Sequence, residues 1–62
     1  MDKIQELKTE LAVNEALASQ WTWLAKSAEK RNDTSAMLRR LAEANKFAQL
    51  ALDAQAQINN WK

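Results

Sequence analysis

The sequence predicts an all-α fold: a two-helix antiparallel hairpin that self-associates into a four-helix bundle. Three observations carry that expectation. None of the 62 residues is Gly or Pro, so no residue of the chain breaks a helix by its own chemistry. Asn32, Asp33, Thr34 and Ser35 form one cluster of residues that cap helices or make turns rather than propagate helices. On both sides of that cluster apolar residues recur every three or four positions.

The first helix is expected over about residues 3–31. Asp2 followed by Gln5 fits a variant capping box. Ile4, Leu7, Leu11, Asn14, Ala18, Trp21, Ala25 and Ala28 then trace one core-facing stripe, widened by Leu17 and Leu24. A turn at about 32–34 follows, with Asn32 suited to the left-handed position that Gly usually fills after a helix. Asp33 or Thr34 suits the cap of the next helix.

That second helix is expected over about 35–60, with Trp61 and Lys62 fraying. Its stripe comprises Met37, Leu41, Ala44, Ala48, Ala51, Leu52 and Ile58, and Phe47, Leu50, Ala54 and Trp61 carry it past half the circumference. One neighbour cannot cover so broad an arc, so the second helix is expected to touch at least two others. Folding at the turn pairs positions whose numbers sum to about 65, which sets Ile4 near Trp61, Leu7 near Ile58, Trp21 near Ala44, Leu24 near Leu41, Asn14 toward Ala51 and Gln55, and Gln20 toward Asn45. Amides inside such a seam tend to fix register and oligomer state.

Energetics favour assembly. With no Cys and no His, neither a disulfide nor a structural zinc can staple so short a chain. Ordering it costs roughly 90 kcal/mol, and a compact globule of this mass would recover about the same from buried apolar surface. A hairpin about 40 Å long is less compact than that globule, so a second copy is expected to make up the deficit. Dimer and tetramer both suit the pattern.

Composition also narrows function. Without Cys, His or Gly there is no thiol nucleophile, no imidazole acid or base, and no glycine-rich phosphate cradle. The chain reads as a non-enzyme with no cofactor. Glu6 and Glu10 stand one turn apart, but bundle di-metal sites also need Glu-x-x-His pairs, so no metal site is expected. The longest uncharged run, Ala16 to Ala25, is about half of a bilayer span, and no signal pattern opens the chain. The expectation is a soluble, cytoplasmic protein with no membrane partner, and Met1 with a capped start reads as a complete small chain of one domain, residues 1–62. A formal net charge of +1 gives no bulk attraction to nucleic acid.

Two features stand outside the fold. Trp23 lies about 160° around the first helix from Trp21, on a face with Ala12, Ala16, Ser19, Lys26 and Lys30. A rigid aromatic among small residues and two cations is the composition of a docking surface for another protein. The competing reading is that Trp23 packs against another protomer. The second feature is a basic turn end, where Lys26, Lys30, Arg31, Arg39, Arg40 and Lys46 face only Glu29, Asp33 and Glu43, a net +3. Arg31, Arg39, Arg40 and Lys46 are candidate phosphate-binding residues. The competing reading is that Glu43 neutralises Arg39, Arg40 and Lys46 at helical spacing.

The leading expectation is therefore a non-enzymatic interaction module, an adaptor, inhibitor or regulator of the kind common among phage and plasmid products. The alternatives are a binder of a phosphate-bearing ligand, RNA or a small signalling nucleotide, and a purely structural assembly domain. Dimeric two-helix hairpins that bind RNA, and phage-encoded helical hairpins that sequester signalling nucleotides, offer fold-level analogies for the former without a shared motif.

Overall fold

Two α-helices and one turn make up the computed structural model, which describes residues 2–61. Met1 and Lys62, on which the expected complete start and frayed end fall, lie outside the described residues. Helix α1 spans Lys3–Lys30 and α2 spans Thr34–Asn59. Asp2 caps α1 through its own carboxylate, which accepts the Ile4 N–H at 3.1 Å. The bond goes to the second residue of the helix and not to Gln5, so Asp2 works as a simple cap and not as half of a capping box.

The turn is compact because the N–H groups of Arg31, Asn32 and Asp33 all return to the carbonyls of Ala28 and Glu29. Arg31 is the C-cap of α1, so that helix ends at Lys30, within the expected bounds. Asn32 adopts φ 59° and is the described residue in the left-handed region. Its N–H donates to the Glu29 carbonyl at 3.0 Å, while the Asp33 N–H reaches back to Ala28 at 3.0 Å. This is the Schellman pattern, which satisfies carbonyls that the helix end leaves open. Asp33 then turns its side chain forward and accepts the Ala36 N–H at 3.0 Å. One residue thus closes α1 with its backbone and opens α2 with its carboxylate, and α2 begins at Thr34.

The seam between the helices is built chiefly of alanine. Ala25 and Ala28 from α1 are buried against Ala36, Ala44, Ala51 and Ala54 from α2, and among the described residues Leu7 is the one large side chain that is fully buried. Small side chains let two helices approach closely, but each buries little apolar surface. The larger residues are displaced to the flanks. Leu41 and Leu52, expected in the core, are exposed, whereas Ala36 and Ala54 take their places. Gln20 and Asn45 are likewise exposed and form no polar pair in the seam. Asn14 and Gln55 are half-buried.

Register agrees with a fold about the turn. Arg40 and Leu24, joined across the seam by a 2.9 Å hydrogen bond, have numbers that sum to 64. The Arg40 guanidinium reaches the Leu24 carbonyl one position from the expected Leu24–Leu41 level. The product is a rod of 48 × 15 × 12 Å with a radius of gyration of 14.2 Å, against about 11 Å for a compact chain of this length. Among the described residues no helix is long and apolar enough to cross a membrane.

Candidate functional site

A groove runs along one side of the seam. Leu11, Ala18, Thr22 and Trp23 line it from α1, and Ala48 and Leu52 from α2, enclosing about 700 Å³. Thr22 sits mid-helix without an orphaned hydroxyl, because its Oγ1 donates to the Ala18 carbonyl at 2.8 Å. Glu15, Ser19, Lys26 and Gln55 add polar groups to the wall, and Gln55 is steadied by Nε2 donating to Asn59 at 2.9 Å. Trp23 stands on the outer rim, 68% exposed, with Leu52 62% exposed across from it. Both are held on well-formed helices, so the apolar lips are rigid. This combination of a fixed aromatic, an apolar floor and a polar border matches the anatomy of a protein interaction site.

The structure therefore gathers part of the expected docking face and leaves part outside. Ser19, Trp23 and Lys26 border the groove. Ala12, Ala16 and Lys30 are exposed but do not line it; Lys30 lies a turn beyond Lys26, and the methyl groups of the two alanines are short. Leu11, Thr22, Ala48 and Leu52 belong to the groove without having been read as part of a site. Leu38 is a further exposed apolar residue on α2. It stands with Leu41, Asn45, Ala48 and Leu52 at alternating spacings of three and four, a helical line that extends the groove toward the turn. The spacing is legible in the sequence.

The basic end is arranged differently. A second cavity, about 570 Å³ and on the other side of the seam, is lined by Trp21, Ala36, Arg39, Arg40 and Glu43 among others. Arg40 is half-buried there, its Nη1 donating to the Leu24 carbonyl. Arg31 is exposed at the C-cap of α1. Lys46 extends over the Phe47 ring at 5.5 Å from its centroid, a cation–π contact. Arg39 and Arg40 are thus brought together, whereas Arg31 and Lys46 do not line that cavity. The ion pair formed among the described residues is Lys3–Glu6 at 3.8 Å. Glu43 makes none with Arg39, Arg40 or Lys46.

A third, shallower cavity of about 370 Å³ at the open end is lined by Asp2, Gln5, Glu6, Thr9 and Glu10. Among the described residues no group of three or more His, Cys, Asp or Glu side chains is placed to hold a metal ion.

The two helices also share an apolar face on the side of Trp21 and the second cavity. Leu17 and Leu24 stand four before and three after Trp21 on α1, with Val13 four before Leu17, and Phe47, Leu50 and Trp61 continue the line of Glu43 on α2, past the buried Ala54. Of these, Val13 is 52%, Leu50 42% and Trp61 50% exposed.

No protein-family model matches the chain, and comparisons with curated proteins and with solved structures find no match.

Proposed function

We propose that the protein is a small non-enzymatic interaction module, a helical hairpin that acts in the cytoplasm as a homo-oligomer and binds another protein through the groove bordered by Trp23. The observation that carries this reading is the 68% exposure of Trp23 on the rim of a groove lined by both helices. Aromatic anchors beside apolar pockets contribute most of the energy of protein interfaces. Trp23 does not stand alone: with Leu11, Ala48 and Leu52 it forms a contiguous apolar patch, the kind of surface that marks an interaction site. The role that follows is that of an adaptor, inhibitor or regulator, which acts by occupying a surface of its partner.

The test is binding of the same partner by matched hairpins. Partners retained by the native chain are identified by mass spectrometry, and the purified candidate is titrated against native and Trp23→Ala hairpins. The reading requires Trp23→Ala to lose binding while helicity and solution mass stay unchanged. Loss of the oligomer in Trp23→Ala would assign Trp23 to self-assembly instead.

A second reading, capture of a phosphate-bearing ligand such as RNA or a nucleotide at the basic end, is supported by the shared cavity of Trp21, Arg39 and Arg40. It is the weaker one, because one Arg40 donor already serves the Leu24 carbonyl. Titration with inorganic phosphate and with a short RNA separates it from the first. Affinity that falls steeply with added salt, and that disappears in Arg39→Ala/Arg40→Ala, is its signature.

A further inference from the structure

We infer that the apolar face carrying Val13, Leu17, Leu24, Phe47, Leu50 and Trp61 is covered by a second copy of the chain, packed with the two turns at opposite ends of the bundle. This rests on the homo-oligomer reading above and makes it specific: one face for self-assembly, the groove face left for the partner.

Three observations identify the occupant. The first is area. The rod exposes 4736 Å², about 650 Å² more than the roughly 4,100 Å² of a compact chain of its mass. A stable interface of standard size covers about 800 Å² on each partner, so a face-to-face dimer conceals the excess.

The second is pattern. On this face the helices carry apolar residues on a line of alternating four- and three-residue steps: Val13, Leu17 and Leu24 on α1, with Gln20 at the intervening step, and Phe47, Leu50 and Trp61 on α2, with the seam residue Ala54 and the exposed Gln57 at the intervening steps. That is the seam two hairpins need to make a four-helix bundle, with each helix supplying knobs to its neighbour. The groove face lacks this property, because its α1 wall holds Glu15, Ser19, Thr22 and Lys26.

The third is charge, which selects the topology. The turn end is net +3, so the remainder of a chain of net +1 is −2, from Asp2, Glu6, Glu10, Glu15 and Asp53 against Lys3, Lys8 and Lys62. Turns side by side would stack two +3 ends on one another. Turns at opposite ends set each basic end against the other copy's acidic one, which is the favourable arrangement.

Level matching then makes a sharper statement. The middle of the hairpin lies near Leu17 on α1 and between Phe47 and Leu50 on α2. A two-fold axis there brings Leu17 against its own copy and pairs α2 positions whose numbers sum to about 97. Trp61 falls at the level of the second copy's Ala36. Ala36 lines the turn-end cavity with Trp21, Arg39 and Arg40. Each Trp61 is therefore placed at the level of the other copy's cavity, a large ring opposite a small residue, with Arg39 the guanidinium that is free, among the described residues, to stack on it.

The experiment is solution mass by sedimentation across a wide concentration range, on the native chain and three variants. The native chain is expected at twice its own mass. Val13→Glu/Leu50→Glu is expected to raise the dissociation constant by about tenfold or more, whereas Leu52→Glu and Trp23→Ala leave it unchanged. Single cysteines in this cysteine-free chain read the topology without burying a charge. Under mild oxidation Leu17→Cys should form a disulfide-linked dimer, and Arg31→Cys should not. A monomeric native chain, a dimer broken by Leu52→Glu and spared by Val13→Glu/Leu50→Glu, or a dimer linked through Arg31→Cys would each overturn the inference. None of these outcomes bears on partner binding by the groove, which the Trp23→Ala titration reads separately.

Discussion

Arg40 of α2 donates from Nη1 to the main-chain oxygen of Leu24 in α1 at 2.9 Å. It is the one side-chain hydrogen bond that crosses the seam among the described residues. A carbonyl oxygen has two lone pairs, so one already used along the helix can accept a second donor from outside. In a seam of alanines, which specifies axial position weakly, this charge-assisted bond pins one helix against the other. Arg40→Met keeps the aliphatic stem and removes the donor. It is expected to lower unfolding stability by about 1.5 kcal/mol in urea at fixed protein concentration, and Arg40→Lys to recover part of that.

The turn gives an independent pair of predictions. At φ 59° a side chain without local hydrogen-bonding ability is strained, so Asn32→Ala should cost about 1 kcal/mol while Asn32→Gly is neutral or slightly stabilising. At the next position, Asp33→Ala removes the acceptor that holds the Ala36 N–H at 3.0 Å and should cost about 1 kcal/mol. Asp33→Asn keeps an acceptor and should cost much less. Thermal melts followed by circular dichroism, at one concentration, read all four.

Leu7 is 1% exposed and lies near the open end of the rod, where no turn ties the helices together. Leu7→Ala should destabilise the hairpin by about 2.5 kcal/mol, from lost burial and the cavity left behind. Hydrogen exchange should show the loss concentrated in the first three turns of α1 and the last three of α2, with amides beside the turn protected as before. A uniform loss along both helices would mean that the rod opens only as a whole.

Much of this fold was legible beforehand because its signals are local. A run of Asn32, Asp33 and Thr34 in a chain without Gly or Pro can mean little but a turn, and the left-handed Asn32 and the capping Asp33 follow from side-chain chemistry. What hydropathy could not decide was which apolar residues meet across the seam. Leu41 and Leu52 outrank Ala36 and Ala54 in hydrophobicity and lie about 140–160° around α2 from them, so hydropathy draws the stripe toward the leucines, whereas close packing of the helices turns the alanine side of the broad arc inward. The groove was half legible for the same reason: Ser19, Trp23 and Lys26 share one helix face at readable spacing, whereas Leu52 joins them only through the register of the second helix. The Arg40 bond to Leu24 has no sequence signature, since a main-chain acceptor carries none.

The three tryptophans can be separated by what each touches. Trp21 is half-buried beside the seam, so Trp21→Ala should cost about 2 kcal/mol, below the value for a fully buried ring because part of its surface is wet in the folded state. Trp23 makes its contacts on the rim of an open groove, so Trp23→Ala should change stability by less than about 0.5 kcal/mol. Emission supplies a second readout. Trp23→Phe should remove the most red-shifted and most acrylamide-quenchable component of native fluorescence, leaving the remaining spectrum blue-shifted. Trp61 distinguishes the free hairpin from the assembled one: half-exposed in the hairpin, its ring should become shielded as concentration rises through the dimer transition. The concentration-dependent part of the spectrum should then vanish in Trp61→Phe and persist in Trp23→Phe. The reverse pattern would place Trp23 in the interface between copies and leave the groove without its anchor.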